Sequence, residues 1–288
     1  MLMGGVEYLG FEGEALDDHD RFVLSNLSAT YALFAVTDGA LTPVLVEPLR
    51  FYGDDLITIQ RYSGKTNEQF THLLVNVAVA VSAAAHERTG QGLAVRLLDP
   101  LAGRGTTLNR GLMYGFDVAG IDVDRSDFDA YRGYLTNYLK NGRRSFKTEE
   151  STPRSGPLAG SRRLSIRIDN AQRIDMVLHD TIYATNHFGE RSFDVLVGDL
   201  PYGARHGSTA GGKLRRSPVD LVAESLDSWR GVLRSGAGVA LAWNTKTLAR
   251  VDFEAALGGA GFHVLDTGDS FVHRVDRTIT RDVVLATT

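Results

Sequence analysis

The chain contains no cysteine among its 288 residues, and this absence excludes several kinds of site. Without thiols there are no disulfides, no zinc site built on thiolates and no cysteine nucleophile. The longest apolar run, Val75–Ala85, is interrupted by Asn76 and Ser82 and is too short to span a bilayer. The N-terminus shows no basic segment followed by an apolar core, as a secretory signal would. We therefore expect a cytoplasmic protein with no membrane partner and no metal site.

The net charge of −4 is not that of a protein that binds nucleic acid through its overall charge, but the charges are unevenly distributed. Residues 1–60 carry ten acids and two bases, whereas residues 140–167 carry eight bases and two acids. The basic segment is either a phosphate-binding edge or a solvated loop. Because it also contains Ser, Pro and Gly, we predict a mobile basic insertion over about 140–163.

The order of apolar segments predicts the fold class. Residues 1–60 hold short apolar runs, such as Val23–Leu27, between turn residues, which predicts a small, acidic, β-rich N-terminal module. Beyond it, strand and helix patterns alternate, which is typical of an α/β fold with a doubly wound, mostly parallel sheet. The last apolar runs predict an antiparallel closing hairpin. We therefore divide the chain into the module at 1–60 and one domain at 61–288, with no internal repeat and no signal for an oligomeric state.

The segment Phe193–Gly207 ends a buried strand with an unusual set of polar groups, Asp-Leu-Pro-Tyr-Gly. Ligands bind at the carboxyl ends of parallel strands in open α/β sheets. The Asp199 carboxylate and the Leu200 carbonyl would accept the N–H bonds of an amino group on a heterocycle, whose lone pair is otherwise delocalised. Pro201 stiffens the turn, and the Tyr202 ring would stack on a planar substrate and fix its approach. Taken alone, the motif also fits an ordinary strand-to-loop turn.

A second strand ends at Asp99 and leads into a glycine-containing turn, Gly103-x-Gly105-Thr106, and a helix. Glycines at such a turn let the backbone approach a ligand closely. The third glycine of the dinucleotide fingerprint G-x-G-x-x-G is missing, which argues against a dehydrogenase that uses NAD. The next strand ends in Asp122, 17 residues after Gly105, where an acid can bind the hydroxyl groups of a ribose.

Two further segments complete the candidate site. Asp180 follows a strand nineteen residues before Asp199, so it either accepts from the amino group of an adenine or caps a helix. Lys65, Thr66 and Asn67 precede a long helix pattern. The first N–H groups of that helix suit a carboxylate-bearing ligand, and plain helix capping is the other interpretation.

Four segments resemble, in order and spacing, the class I S-adenosylmethionine-dependent methyltransferases: Asp99-Pro-Leu-Ala-Gly-Arg-Gly-Thr106, Gly120-Ile-Asp-Val-Asp124, Asp180 and Asp199-Leu-Pro-Tyr-Gly203. The last motif is similar to that of the tRNA guanosine N2-methyltransferases and to the Asp-Pro-Pro-Tyr motif of enzymes that methylate adenine. The resemblance covers roughly residues 61–288. It implies a Rossmann-like fold and S-adenosyl-L-methionine as the cofactor.

The resemblance also implies roles for individual residues. The residues expected to bind the cofactor are Asp99, Pro100, Ala102, Gly103, Gly105, Thr106, Asp122, Val123, Asp180, Thr181, Lys65, Thr66 and Asn67. Among them Asp99, Gly103 and Gly105 would cradle the methionine part, whereas Asp122 would hold the ribose and Asp180 the adenine. The residues expected on the catalytic and substrate side are Asp199, Leu200, Pro201, Tyr202, Gly203, His206 and Arg274.

The predicted activity is N-methylation, in which a methyl group moves in line to an exocyclic amino nitrogen. Guanine N2 in tRNA or another RNA is the leading acceptor, and such a base would have to be flipped out of a folded RNA. The alternatives are a small molecule or peptide of a biosynthetic pathway, adenine in DNA, and a catalytically idle cofactor-binding module. Residues 1–60 are too short and too acidic for the RNA-binding module that the tRNA enzymes usually carry.

Overall fold

The computed structural model describes residues 1–13, 15–62, 64–87, 95–169, 171–201 and 218–288. The chain forms two compact units, Met1–Leu49 and Arg50–Thr288. This boundary lies before the predicted one at residue 60, because residues 50–60 belong to the second unit. Within that unit the Tyr52 hydroxyl donates to the side chain of Gln172 at 2.6 Å, and Leu56 is fully buried.

The first unit contains two strand pairs and one helix. Its elements are β1 (Leu2–Met3), β2 (Val6–Glu7), α1 (Asp18–Ser25), β3 (Leu33–Thr37) and β4 (Ala40–Val44). β1 pairs with β2 and β3 with β4, both antiparallel. The β run expected at Val23–Leu27 was wrong, because most of it lies in α1. Asp17 and Asp20 form a reciprocal capping box at the start of this helix, which outweighs the β preference of the short apolar run.

The second unit alternates strands and helices. Its elements are α2 (Asp55–Thr58), α3 (Glu68–Val81), β5 (Arg96–Asp99), α4 (Thr106–Met113), β6 (Asp117–Asp122), α5 (Arg125–Asn141), β7 (Phe146–Ser151), β8 (Arg162–Ile168), β9 (Gln172–Leu178), α6 (Ala184–His187), β10 (Phe193–Asp199), α7 (Pro218–Val232), β11 (Leu233–Asn244), α8 (Arg250–Gly259), β12 (His263–Leu265), β13 (His273–Arg274) and β14 (Thr280–Thr287). Short 3₁₀ helices occupy Ala83–Glu87 and Thr181–Tyr183.

A ten-stranded sheet forms the centre of the second unit, in the order β12-β14-β11-β10-β5-β6-β9-β8-β7, with β13 paired to β14. Five adjacent strands, β11, β10, β5, β6 and β9, are parallel to one another. On one side β14 is antiparallel to β11, β12 and β13, and on the other β8 is antiparallel to β9 and β7. This topology confirms the predicted α/β class, with a doubly wound, mostly parallel sheet and an antiparallel closing hairpin.

Strand β7 and the first two residues of β8 lie within the segment at about 140–163 that was predicted to be a mobile basic insertion. They pair with each other, and β8 pairs in turn with β9, so the segment extends the sheet instead. Leu164, Ile166 and Ile168 of β8 are buried and alternate with polar residues, which is the pattern of a strand with one face in the core. The prediction counted the bases of the segment and did not include the strand pairing of Phe146–Ser151 with β8.

The order of the strands reverses at β5. From β5 the chain adds β6 and β9 on one side and then places β10 on the other side. In doubly wound sheets the carboxyl ends that flank such a reversal form a ligand crevice. The interiors of β5 and β10 are apolar and fully buried, so the polar residues that end them, Asp99 and Asp199, come to the edge of the sheet at this crevice.

Candidate functional site

Three aspartates end three adjacent strands of the sheet: Asp122 on β6, Asp99 on β5 and Asp199 on β10. Neighbouring strands lie about 4.8 Å apart, so the three carboxylates share one edge. Burial raises the pKa of Asp99 to about 7, with a smaller contribution to the rise from the charges of Asp122 and Asp199. Burial likewise raises the pKa of Asp122 to about 6. The structure therefore brings the three sequence-predicted acids together at one edge of the sheet.

The turn after β5 is packed closely against β6. The Asp99 carboxylate accepts a hydrogen bond from the backbone N–H of Leu101 at 3.0 Å, and the N–H of Ala102 donates to the carbonyl of Ile121 at 2.9 Å. A side chain at Gly120 would place its Cβ 2.7 Å from the Cβ of Ala102. The absence of that side chain lets the turn approach the end of β6.

The two glycines of this turn have different roles. Gly105 has a φ of 77°, and a Cβ there would lie 2.3 Å from the ring of Tyr131, so packing alone requires a glycine. Gly103 has a φ of 49°, but no described atom lies within 4 Å of the position of a Cβ. Its backbone N–H donates to Oδ2 of Asp122 at 2.7 Å. The backbone at Gly103 is therefore open to a ligand beside an oriented carboxylate.

Backbone N–H groups orient both oxygens of Asp122. Oδ2 accepts from Gly103, and Oδ1 accepts from the N–H of Asp124 at 2.8 Å. The intervening Val123 is exposed. Thr106, at the start of α4, is buried, and its hydroxyl lies 3.1 Å from that of Tyr62. Asp122 thus has a fixed direction at the edge of the sheet.

Asp199 is held by residues from two other parts of the chain. The Thr66 hydroxyl donates to Oδ2 of Asp199 at 2.7 Å, and Nη2 of Arg281 lies 3.6 Å from the same oxygen. The guanidinium of Arg281 is almost fully buried and lies over the ring of Phe70, 4.3 Å from its centroid. The Phe70 ring in turn contacts the ring of His273, with 5.1 Å between centroids.

Arg281, Phe70 and His273 were not predicted from the sequence. Arg281 stands at the head of the apolar run of β14, where a charged residue marks the end of a strand without indicating which neighbour it contacts. Phe70 appears only as one of several apolar positions of α3. Arg281 comes close to Asp199 through strand order, because β14 lies two strands from β10.

The residues that follow Asp199 begin inside the core. The backbone N–H of Leu200 donates to the carbonyl of Ala242 at 2.8 Å, and its side chain is 1% exposed. Pro201 is exposed. The other residues predicted here, Tyr202, Gly203 and His206, lie outside the described residues.

The remaining predicted residues of the loop before α3 make local contacts. The Asn67 side chain accepts from the backbone N–H groups of Gln69 and Phe70, which makes it the N-cap of α3. Nζ of Lys65 donates to the carbonyl of Ile57 and to the carboxylate of Glu68, both at 2.6 Å. Only Thr66 of the three reaches a strand-end aspartate.

Asp180, Thr181 and Arg274 also make contacts within the fold. The Asp180 carboxylate accepts from the backbone N–H of Ile182 at 3.2 Å and caps the short 3₁₀ helix. The Thr181 hydroxyl accepts from the indole of Trp229 at 2.8 Å. Arg274 is exposed, and its Nε donates to the carbonyl of Asp276 at 3.1 Å.

Part of the basic segment is neutralised by neighbouring acids. Arg144 pairs with Asp169 at 2.8 Å, and Arg162 pairs with Asp129 at 2.7 Å. Across the described ranges, no helix combines the length and apolarity needed to cross a membrane. Within the same ranges, no three acidic or histidine side chains converge in the way a metal site requires.

Comparisons with models of protein families and with curated proteins find no match. Several solved structures are similar. TrmN from Thermus thermophilus has 16% identity and a TM-score of 0.46, over 81% of this chain and 51% of that one, so this chain spans about half of its length. A TehB-like SAM-dependent methyltransferase from Corynebacterium glutamicum has 14% identity and a TM-score of 0.40, over 68% and 80%. An rRNA methylase from Streptococcus thermophilus has 10% identity and a TM-score of 0.42, over 79% and 99%. Similarities this distant say nothing about substrate or catalytic residues.

Proposed function

We propose that the protein is an enzyme that transfers a methyl group from S-adenosyl-L-methionine to an exocyclic amino nitrogen of a nucleobase in RNA, with guanine N2 as the leading acceptor. The observation that carries the proposal is the row of carboxylates formed by Asp122, Asp99 and Asp199 at the strand-order reversal. One side of this row suits a cationic nucleoside cofactor, and the other suits an amino group.

The cofactor side is formed by Asp122, Gly103 and Asp99. Asp122 is oriented by two backbone N–H groups and suits the hydroxyl pair of a ribose. The open space at Gly103 allows a ligand to contact the backbone. A positive group of the methionine part would favour the ionised form of the buried Asp99, whose pKa burial raises to about 7. When bound, S-adenosyl-L-methionine supplies an electrophilic methyl group.

The acceptor side is formed by Asp199 and the backbone carbonyl of Leu200. As two acceptors at the end of β10, they would bind the N–H bonds of a planar amino group and stabilise the positive charge that develops on its nitrogen. The hydrogen bond from Thr66 restricts the rotation of the Asp199 carboxylate. Catalysis would then depend mainly on orientation and on charge stabilisation.

RNA is proposed as the acceptor because the Asp199-Leu-Pro-Tyr-Gly203 motif resembles that of the tRNA guanosine N2-methyltransferases. The motif suits a planar amino group, and guanine presents one at N2.

The test is calorimetric titration with S-adenosylmethionine and its demethylated product, followed by transfer of a labelled methyl group to bulk tRNA and analysis of the nucleosides. We expect micromolar affinity for both compounds and label in N2-methylguanosine. Absence of cofactor binding would contradict the whole proposal. Cofactor binding with no label in RNA would contradict the RNA acceptor and leave a small molecule or peptide as the substrate to test.

A further inference from the structure

A row of charged side chains crosses five neighbouring strands at the amino ends of β5, β6 and β9. Lys147 on β7 lies opposite Arg167 on β8, and Arg167 lies opposite Arg173 on β9. Asp117 on β6 comes next, and its Oδ1 accepts from the backbone N–H of Arg173 at 2.7 Å. Arg96 on β5 lies opposite Asp117. Four cations and one acid thus follow one line across the sheet.

The first three members of the row carry the same charge in directly opposed positions. Like charges placed opposite each other on adjacent strands destabilise a sheet. With strands about 4.8 Å apart, Lys147, Arg167 and Arg173 lie within about 10 Å of one another. Lys147 and Arg167 are exposed, and neither forms an ion pair with an acid in the described part of the chain. An arrangement that is unfavourable in the free protein becomes favourable when an anion binds across it.

Beside the row, three guanidinium groups converge on one buried carboxylate. Asp175 is 1% exposed, and its oxygens lie 2.8 Å from Nε of Arg173, 3.0 Å from Nη2 of Arg163 and 3.6 Å from Nη2 of Arg96. The Ser165 hydroxyl donates to it at 2.6 Å. One carboxylate offsets only one of three positive charges, so this cluster keeps an excess of positive charge.

Contacts with aromatic rings hold two of these guanidinium groups in place. Arg96 lies over Phe193, 4.7 Å from the ring centroid, and Arg163 lies over Phe188 at 5.4 Å. Arginines fixed in this way lose less side-chain entropy when they bind a planar or tetrahedral oxyanion.

These cations share one face of the sheet. On β8, the guanidinium of Arg162 lies over Phe128 of α5 at 5.0 Å, so α5 covers the face that also carries Leu164 and Ile166. Because side chains alternate along a strand, Arg163 and Arg167 belong to the opposite face. We call the surface formed by Lys147, Arg163, Arg167, Arg173 and Arg96 the basic face.

The row of charged side chains at the amino ends and the candidate active site lie at opposite ends of β5 and β6. Arg96 begins β5 and Asp99 ends it, a separation of about 10 Å at about 3.3 Å per residue. Asp117 begins β6 and Asp122 ends it, about 17 Å apart by the same measure. A ligand that contacts both must therefore extend over at least about 10 Å and carry negative charge where it meets the row.

We propose that the basic face binds the phosphodiester backbone of RNA while a base of the same molecule occupies the site at Asp199. The inference rests on the proposed function only for the choice of RNA as the polyanion. Three of the bases of residues 140–167, Lys147, Arg163 and Arg167, then have a defined role on one face of β7 and β8.

The test measures binding of a fluorescein-labelled single-stranded RNA and of bulk tRNA, without cofactor, over a range of salt concentrations. The test variant is Lys147→Gln/Arg167→Gln. The matched control is Lys140→Gln/Arg143→Gln, which removes two exposed cations that lie outside the basic face. Each lost contact with a single strand should reduce the slope of log K against log salt by about 0.7, so we expect a drop of about 1.4 in the test variant and no change in the control.

Thermal unfolding checks that the test variant is folded. Because it removes opposed like charges, its Tm should equal or exceed that of the wild type. Equal losses of RNA affinity in both variants, an unchanged salt slope, or equal affinity for DNA of the same sequence would overturn the proposal.

Titration with S-adenosylmethionine separates this inference from the proposed function. If the basic-face variant loses RNA binding but the wild type does not bind the cofactor, only the proposed function fails. If the cofactor binds and RNA is methylated equally well by the variant, only the basic face fails.

Discussion

The hydroxyl of Thr66 donates a 2.7 Å hydrogen bond to Oδ2 of Asp199, across 133 positions of the sequence. It connects the loop before α3 to the end of β10. Arg281 lies 3.6 Å from the same oxygen, so groups on two different elements contribute to the direction of this carboxylate. The orientation of the proposed catalytic acceptor is therefore a property of the tertiary structure.

Replacing Thr66 by Val should lower kcat for methyl transfer by about tenfold to a hundredfold, since a hydrogen bond to a charged group contributes about 1.5–3 kcal/mol. The Kd for the cofactor should change little. Thr66→Ser keeps the donor and should retain most of the activity. Equal kcat in the Val variant and the wild type would show that the hydrogen bond has no part in catalysis.

Asp199→Ala should abolish turnover and leave the affinity for S-adenosylmethionine nearly unchanged, because Asp199 is proposed to contact only the acceptor amino group. Calorimetry and a methyl-transfer assay on the same preparation measure both quantities. If cofactor binding is lost instead, the catalytic strand has been assigned incorrectly.

Asp122→Ala should have the opposite effect and weaken cofactor binding at least about tenfold, the loss expected for one charge-assisted hydrogen bond. It also removes the acceptor of the N–H groups of Gly103 and Asp124. The Tm measured without cofactor separates this structural effect from the binding effect. Normal cofactor affinity would exclude Asp122 as the ribose ligand.

The two glycines of the turn after β5 provide a matched pair. Gly105→Ala would place a methyl group 2.3 Å from the Tyr131 ring and should strongly destabilise the fold. Gly103→Ala meets no described atom within 4 Å, so it should cost only the strain of a positive φ, about 1 kcal/mol, while obstructing the ligand. We expect a folded Gly103→Ala protein with impaired cofactor binding. Full affinity in that variant would mean that the ligand does not contact this backbone.

The buried acids predict how stability without cofactor depends on pH. Burial raises the pKa of Asp99 to about 7 and that of Asp122 to about 6, from 3.8 for each in an exposed environment. Between about pH 4 and pH 7 the folded chain retains protons that the unfolded chain releases, so the contribution of these groups to stability falls as the pH rises. Asp99→Asn cannot ionise, and its Tm relative to the wild type should therefore increase from about pH 5 to about pH 8. A constant Tm difference would contradict a raised pKa.

The strand-end acids were predictable because they depend on local patterns. Asp99, Asp122 and Asp199 each follow an apolar run, and parallel strands bring their carboxyl ends to one edge of the sheet. The α/β class follows from the same alternation of apolar runs and helical periods. For Asn67 and Asp180 the sequence left helix capping open beside ligand binding, and the structure shows the capping contacts.

One failure of prediction involves a long-range contact, and the other involves a local one. The composition of residues 140–163 indicated a loop, but Phe146–Ser151 pairs with β8, and this pairing satisfies its backbone groups. The helix at Asp18–Ser25 depends on a capping box, and a prediction based only on apolar runs does not include it.

The sequence by itself determined which residues end the parallel strands and therefore which acids face the crevice, because apolar periodicity and burial are linked within each segment. Only the tertiary structure decided that Thr66 and Arg281 meet Asp199 and that Lys147, Arg167 and Arg173 lie in one row. These contacts depend on strand order and register. Both are fixed by the packing of the whole sheet, and no local segment contains that information.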